Sequence, residues 1–202
     1  MLDKKIIQEK LNNLKNYATI NNVPILRLET SKILIEYVKT NNPKTILEIG
    51  TAVGYSGMMM LMQSEDSILT TIEKDEQSYE IAKNNFKEVG LIDRVVLKNG
   101  DCIEILPSIN QKFDFIFLDG PKGQYIKYLP FLIEMLNTGG VLFADNVLYR
   151  GMVNGKTPIA KSKKTLVKNL QLFLEAVTHD ERLKSEILET EDGISISTKI
   201  KG

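Results

Sequence analysis

Short apolar runs alternate with helical patterns along most of the chain. Five runs have the composition of buried strands: TILEI (45–49), ILTTIE (68–73), RVVLKN (94–99), FDFIFLD (113–119) and GVLFAD (140–145). Between them, apolar residues at helical spacing predict helices at about 55–64, 75–89, 102–109 and 123–136. Strands that alternate with helices predict a parallel sheet with helices on both faces.

The two ends of the chain depart from this alternation. Apolar stripes over residues 4–20 and 25–40 predict two extra helices before the first strand, a helical cap over residues 1–42. After a last predicted helix at 161–178, the strands SEILET (185–190) and ISIST (194–198) are joined by a Glu-Asp-Gly turn, which is typical of a hairpin. We therefore expect one α/β domain, residues 1–202, whose mostly parallel sheet ends in an antiparallel pair.

Composition narrows the class of protein. Lys plus Arg and Asp plus Glu both number 26, and this balance argues against indiscriminate binding to nucleic acid or membranes. The single cysteine, Cys102, excludes an intramolecular disulfide and a multi-cysteine zinc site. The charged N-terminus lacks the apolar core of a signal peptide, and no apolar run reaches the roughly 18 residues of a membrane span. We expect a cytoplasmic protein with no membrane partner.

An acidic residue stands at or near the carboxyl end of each of the five strands. Ligands of open α/β sheets bind beyond the carboxyl ends of the strands. Because clustered carboxylates repel one another, five acids at such an edge indicate a site for cations, hydroxyls or amines. The five residues are Glu48, Glu73, Asp101, Asp119 and Asp145.

The loop after the first strand, GTAVGYSG at 50–57, carries three glycines at the start of a predicted helix. A dinucleotide-binding loop reads G-x-G-x-x-G, and its second glycine lets a pyrophosphate approach the backbone; here TAV follows Gly50 instead. Glu73 is placed to accept hydrogen bonds from ribose hydroxyls, and Asp101 is placed near an adenine. The pattern favours an adenosine that bears a positive charge and no phosphate, as in S-adenosylmethionine. An ordinary glycine turn beside a surface acid is the simpler alternative.

A second group of residues suits a hard cation. Asp119, Asp145 and Asn146 supply two carboxylates and an amide oxygen, ligands that Mg²⁺ takes together with water or substrate oxygens. By itself the Asp145–Asn146 pair would suit a turn better than a metal site, since both residue types favour turns, and it is Asp119 on the neighbouring strand that favours the metal.

Five segments resemble the cation-dependent O-methyltransferase family, which includes the catechol and caffeoyl-CoA enzymes: LEIGTAVGYS, TIEKD, NGDCIEILP, FIFLDGPKGQY and LFADNVLYRGMV. The likeness runs from about residue 20 to residue 199. Within the family, VPI at 23–25, KGQY at 122–125, and DNVLYRGMV at 145–153, with its basic residue Arg150, are most similar to bacterial tRNA 5-hydroxyuridine methyltransferases. The resemblance implies a Rossmann-like, seven-stranded methyltransferase sheet with extra N-terminal helices, and a homodimer.

The resemblance also implies roles for individual residues. Mg²⁺ would be held by Asp119, Asp145 and Asn146, and would lower the pKa of the acceptor hydroxyl. Lys122 would take the proton of that hydroxyl, with a solvated loop lysine as the alternative. Cys102 would contribute packing or backbone contacts rather than thiol chemistry. S-adenosylmethionine would be lined by Leu26, Glu48, Gly50, Ser56, Glu73, Asp101, Cys102 and Asp119.

The acceptor is addressed by the segment YRGMVNGKTPIAKSKKTLVK at 149–168, which holds six basic residues and no acid. Such a patch on a neutral protein is what contact with a phosphate backbone uses, although solubilising lysines give the same pattern. We expect tRNA as the partner, with 5-hydroxyuridine of the anticodon as the acceptor. A small catechol-like or caffeoyl-CoA-like phenol is the alternative acceptor. Tyr125 and Tyr149 are placed either to stack on a flat acceptor or to pack.

Two other classes share part of the pattern. An NAD-dependent oxidoreductase has the same strand, glycine and acid, but it needs the missing glycine and has no use for the hard-cation residues. A non-catalytic adenosine-binding module would need no metal ligands at all.

Overall fold

The computed structural model describes residues 3–21, 23 and 25–202. Over these residues the helices are α1 Lys4–Asn21, α2 Leu28–Asn41, α3 Tyr55–Gln63, α4 Glu76–Glu88, α5 Cys102–Ile105, α6 Tyr125–Met135 and α7 Lys164–His179. The strands are β1 Thr45–Ile49, β2 Ile68–Glu73, β3 Val95–Asn99, β4 Phe113–Leu118, β5 Leu136–Asp145, β6 Leu183–Leu188 and β7 Ile194–Lys199. They are hydrogen-bonded in the order β3-β2-β1-β4-β5-β7-β6, so the predicted seven-stranded sheet is confirmed. Of the VPI segment, Pro24 lies outside the described residues.

The chain packs as two compact units, one ending at Cys102 and one running from Ile103 to Gly202. In the first unit β1 pairs in parallel with β2, and β2 pairs in parallel with β3. In the second unit β5 pairs in parallel with β4 and antiparallel with β7, which in turn pairs antiparallel with β6. The predicted C-terminal hairpin is therefore confirmed. The single domain over residues 1–202, with residues 1–42 as its cap, stays a prediction.

Several boundaries differ from the sequence prediction for local reasons. The predicted helix 102–109 is α-helical only to Ile105, because the ring of Pro107 clashes with an α-helical backbone, and a 3₁₀ turn Leu106–Ser108 follows. Strand β5 begins at Leu136, four residues before the predicted start at 140. This extension passes an irregularity in the register with β4, between the pairs Phe113–Leu136 and Phe115–Val141. Lys161–Lys163 form a 3₁₀ turn, so α7 begins three residues later than predicted.

Each unit has its own apolar core. In the first, Leu47, Leu69 and Phe86 have no solvent-exposed surface, and α3 buries a run of three methionines, Met58 to Met60. In the second, phenylalanines dominate, with Phe143 in ring contact with Phe115 and Phe117. Each helix described is too short or too polar to span a bilayer.

Candidate active site

The glycine loop of the first unit links β1 to α3 through backbone that favours glycine. Gly50, Ala52 and Gly54 have φ values of 98°, 46° and 84°, all in the left-handed region. The amide of Gly54 donates to the carbonyl of Thr51 at 2.8 Å, which closes the turn, and α3 starts at the next residue. The loop thus presents backbone beyond the end of β1.

The third glycine of the loop serves packing. A Cβ atom at Gly57 would lie 2.7 Å from Cδ2 of Leu69 and 2.9 Å from Cζ of Phe86. Because real Cβ atoms do not approach so closely, only glycine allows α3 to lie against β2 and α4 at this point.

Glu48 organises a buried network beneath the loop. Its side chain has no exposed surface, Oε1 accepts a hydrogen bond from Ser56 Oγ at 2.5 Å, and Oε2 accepts one from Thr71 Oγ1 at 2.6 Å. Since the Thr71 proton is used in this way, the 2.5 Å contact between Thr51 and Thr71 has Thr51 as its donor. Glu48 and Ser56 are therefore engaged with each other inside the unit, and their direct contact with a cofactor stays a prediction.

Glu73 lies at the end of β2 with both carboxylate oxygens anchored by backbone. Oε2 accepts a hydrogen bond from the amide of Ala52 at 2.9 Å, and Oε1 accepts one from the amide of Asp75 at 2.8 Å. A carboxylate has about four acceptor positions, so two bonds leave capacity for the two hydroxyls of a ribose. The side chain is half-buried, and the glycine loop holds it in one orientation.

Asp101 and Cys102 follow the end of β3. Asp101 Oδ2 accepts a hydrogen bond from Lys74 Nζ at 2.7 Å. Burial raises the pKa of the Cys102 thiol to about 12, and the negative charges of Asp101 and Glu73 act in the same direction. The thiol is therefore neutral at physiological pH, as the predicted packing role requires. Leu26 is also buried, just before α2.

In the second unit, the two predicted carboxylate ligands stand on neighbouring strands. The pairing of β4 with β5 ends at Leu118–Ala144, and the next residues are Asp119, directly after β4, and Asp145, the last residue of β5. Asp145 Oδ1 accepts a hydrogen bond from the amide of Asn146 at 2.7 Å, and Asn146 has a left-handed backbone with φ of 58°. The structure thus brings Asp119, Asp145 and Asn146 to adjacent strand ends.

The charges at these strand ends are only partly balanced. Burial raises the pKa of the Asp119 carboxyl. Lys122, with Nζ 2.7 Å from Asp119 Oδ1, acts in the opposite direction and offsets this rise only in part. Burial and the neighbouring charge of Asp119 raise the pKa of Asp145 to about 7. Two carboxylates crowded beside one ammonium group suit a further cation.

The donor set also fits Mg²⁺. Two carboxylates and the side-chain amide of Asn146 are oxygen donors of the kind that this ion takes, leaving positions for water or a substrate oxygen. Within residues 3–21, 23 and 25–202, no group of three or more His, Cys, Asp or Glu side chains is placed to hold a metal. A magnesium site here would therefore depend on the amide of Asn146 in addition to the carboxylates.

The segment after Asn146 is held by hydrogen bonds that the sequence patterns did not predict. The amides of Val147 and Leu148 donate to the carbonyls of Gly193 and Asp192, at 3.0 and 2.8 Å, in the turn between β6 and β7. The next two residues, Tyr149 and Arg150, have left-handed backbone with φ values of 41° and 57°. Left-handed backbone at such residues persists only where surroundings impose it, and it clusters at functional sites. No sequence signal connected this segment with the distant hairpin turn.

The two tyrosines and the basic residues predicted to meet the acceptor differ in how exposed they are. Tyr125 is completely buried, so its side chain packs and does not stack on an acceptor. Tyr149 is half-buried, and Lys163 Nζ lies 5.9 Å from the centre of its ring. Lys156 forms an exposed 2.5 Å ion pair with Glu189. The remaining members of the predicted basic patch are all exposed: Arg150, Lys161, Lys164 and Lys168.

The family of the chain follows from comparison with known proteins. A sequence model of the O-methyltransferase family matches residues 3–200. The chain belongs to this family. It is 28% identical over 189 residues to caffeoyl-CoA O-methyltransferase of Eucalyptus gunnii, a match that spans 89% of this chain and 76% of that protein.

Solved structures of O-methyltransferases share the fold. A Staphylococcus aureus protein assigned as a caffeoyl-CoA O-methyltransferase superposes with a TM-score of 0.88 at 30% identity, covering 98% of this chain and 100% of that one. An O-methyltransferase from Bacillus cereus in complex with SAH gives a TM-score of 0.84 at 25% identity, covering 95% and 90% of the two chains.

The predicted enzyme class, an S-adenosylmethionine-dependent O-methyltransferase, is therefore confirmed. An oxidoreductase or a non-catalytic adenosine-binding module does not match this family. The narrower resemblance to the tRNA enzymes stays a prediction, as does every individual site residue.

Proposed function

We propose that this O-methyltransferase methylates the hydroxyl oxygen of 5-hydroxyuridine in the tRNA anticodon, giving 5-methoxyuridine, with Mg²⁺ held by Asp119, Asp145 and Asn146. The observation that carries the proposal is the pair of carboxylates on adjacent strand ends, followed in the same unit by an exposed basic segment. S-adenosylmethionine is the methyl donor.

Glu73 supports the cofactor part of the proposal. Backbone amides fix both of its oxygens, so the carboxylate meets the ribose hydroxyls without having to be ordered first. Methyl transfer from a sulfonium requires alignment of donor and acceptor more than chemical activation, and a pre-ordered contact favours such alignment.

Asp119, Asp145 and Asn146 support the cation part. A bound Mg²⁺ would lower the pKa of an acceptor hydroxyl and fix its oxygen. The Nζ atom of Lys122 lies 2.7 Å from Asp119 Oδ1, so it would lie beside a cation held by that carboxylate and near the hydroxyl that the cation would bind. We propose Lys122 as the general base for that hydroxyl. An acceptor with an acidic hydroxyl, such as one on a uracil ring, has less need of a base.

The start of α7 supports a polyanionic acceptor. Lys164 and Lys168 lie one turn apart on the same helical face, and the first turn holds no acidic residue. Cations at a helix N-terminus oppose the helix dipole, and a bound phosphate would offset this cost. Together with Lys161 in the preceding 3₁₀ turn, these residues suit an RNA backbone.

A small phenol is the second candidate acceptor. It is favoured by the names of similar proteins, since the Eucalyptus gunnii relative is a caffeoyl-CoA O-methyltransferase. A coenzyme A ester also carries phosphates, so the basic segment suits that acceptor too.

Replacement of Lys161, Lys163 and Lys164 by alanine tests tRNA against a small catechol that carries no phosphate. If tRNA is the acceptor, the variant should show a higher KM for tRNA and a flatter dependence of kcat/KM on salt, with methylation of a small catechol unchanged. The control replaces three exposed lysines of the first unit, Lys5, Lys15 and Lys39, with the same change in charge. Nucleoside mass spectrometry detects methylation of tRNA that bears 5-hydroxyuridine. An enzyme that methylates caffeoyl-CoA but not this tRNA would refute the tRNA proposal.

The cation part has its own experiment. Asp145→Ala, or EDTA, should abolish turnover while S-adenosylmethionine still binds, because the ion serves the acceptor hydroxyl. Full turnover in EDTA, with no metal found by elemental analysis, would contradict the cation site. We also propose that the enzyme is a homodimer in the cytoplasm. Sedimentation equilibrium measures the mass in solution, and the mass of a monomer would contradict the dimer.

A further inference from the structure

Tyr125, the first residue of α6, has a buried hydroxyl between two backbone carbonyls. The hydroxyl oxygen lies 3.1 Å from the carbonyl oxygen of Leu118 and 3.2 Å from that of Asp145. The ring packs edge-on against Phe173, with 5.5 Å between ring centres. A phenylalanine would fill the same space, so the hydroxyl calls for a separate explanation.

The two carbonyls lie where the sheet stops holding its strands together. The pairing of β4 with β5 ends at Leu118–Ala144, and Asp145 is paired only towards β7, with Ile194. The hydroxyl of Tyr125 shares its one proton between carbonyls of both strands, one step beyond the last pair. It therefore continues the connection between β4 and β5 at their carboxyl ends.

These carbonyls belong to the peptide groups that lead into Asp119 and Asn146. A peptide group is planar, so a carbonyl held in place also fixes the nitrogen and the direction of the next residue. One hydroxyl thus acts on the backbones that carry the three oxygen donors proposed to hold the cation.

We propose that Tyr125 is a positioning residue for the cation site: its hydroxyl sets the spacing between Asp119 and the Asp145–Asn146 pair. The inference rests on the proposed function, because it takes these three residues as the ligands. Partners that orient metal ligands typically contribute about 10–100-fold in metal affinity.

The test compares Tyr125→Phe with Ser197→Ala. The second variant removes a different buried hydroxyl of the same unit, one that accepts a 2.8 Å hydrogen bond from Ser185 in the middle of the β6–β7 pair. Titration calorimetry with Mn²⁺, and separately with S-adenosylmethionine, gives the two affinities of each protein. Thermal unfolding without metal gives their stabilities.

We expect Tyr125→Phe to weaken Mn²⁺ binding about tenfold or more, with S-adenosylmethionine affinity unchanged. Ser197→Ala should lower the melting temperature without altering Mn²⁺ affinity. Equal Mn²⁺ affinity in Tyr125→Phe and the wild type would overturn the positioning role alone. An equal loss of Mn²⁺ affinity in both variants, or a parallel loss of S-adenosylmethionine affinity in Tyr125→Phe, would show a general loss of structure and also overturn it. A wild-type protein that binds no Mn²⁺ would overturn the cation site together with the positioning role.

Discussion

Asp145→Asn should change how the stability of the metal-free protein depends on pH. Burial, reinforced by the charge of Asp119, raises the pKa of Asp145 from 3.8 to about 7. A carboxyl that binds its proton more tightly when folded stabilises the protein at low pH. This contribution is lost as the pH rises through the folded pKa of about 7. Asparagine does not titrate, so the variant should lack this loss.

The size of the effect follows from the two pKa values. A tenfold difference in proton affinity corresponds to about 1.4 kcal/mol, so the wild type should lose roughly 3 kcal/mol more than the variant between about pH 5 and pH 8. For a chain of this length, that free energy corresponds to a relative shift of roughly 6–12 °C in melting temperature.

Urea unfolding in EDTA at several pH values measures the difference in free energy of unfolding between the two proteins. Asp66→Asn is the control: Lys44 lowers the pKa of Asp66, so that carboxyl stays ionised throughout this pH range. Saturating Mg²⁺ should reduce the loss in the wild type, since an ion that binds the ionised pair stabilises the folded state. A difference between wild type and Asp145→Asn that stays constant from pH 5 to pH 8 would refute the crowded carboxylate pair.

Three further predictions address the first unit. Gly57→Ala should destabilise it by about 1–3 kcal/mol in urea unfolding, because the added methyl group meets Leu69 and Phe86; an unchanged midpoint would contradict the close packing. Glu73→Ala should weaken S-adenosylmethionine binding by about 1–3 kcal/mol in calorimetry, the cost of unpaired ribose hydroxyls, and equal affinity would sink the ribose contact. Cys102 is buried and its pKa is raised to about 12, so iodoacetamide at pH 8 should label it only after unfolding; rapid labelling of the native protein would disprove its burial.

The ends of strands β1 to β5 could be predicted to within one residue because they depend on local pattern, whereas β6 ends at Leu188, two residues before the predicted end at 190. Strands β1 and β2 have the predicted bounds, and the acids of Glu73, Asp101 and Asp145 stand at or just beyond their strand ends as the apolar runs indicate. Beginnings were less predictable, as at Leu136, because the register with a distant strand decides them.

Contacts between segments far apart in sequence could not be predicted. The three loop glycines looked equivalent in sequence, yet Gly57 is required by packing against Leu69 and Phe86, residues of other elements. Glu48 was predicted to line the cofactor, but its hydrogen bonds with Ser56 and Thr71 depend on how α3 and β2 pack. A single amino-acid sequence does not show which distant residues become neighbours in the fold.

The carboxylates of the two units differ in how far the protein itself satisfies them. Glu48 is buried with hydroxyl donors on both oxygens, and Glu73 has backbone donors on both of its own. One oxygen of Asp145 accepts a hydrogen bond from the amide of Asn146. The pKa of Asp145 is nevertheless raised to about 7, because burial and the charge of Asp119 disfavour the ionised carboxylate. A cofactor contact built on Glu73 is therefore ordered before binding, whereas the amide of Asn146 and the charge of Lys122 stabilise ionised Asp145 only in part, and a bound cation would add to this stabilisation. We therefore expect S-adenosylmethionine affinity to vary little between pH 6 and pH 8, and metal affinity to rise with pH over the same range. Titration calorimetry at both pH values distinguishes this from a site in which neither affinity depends on pH.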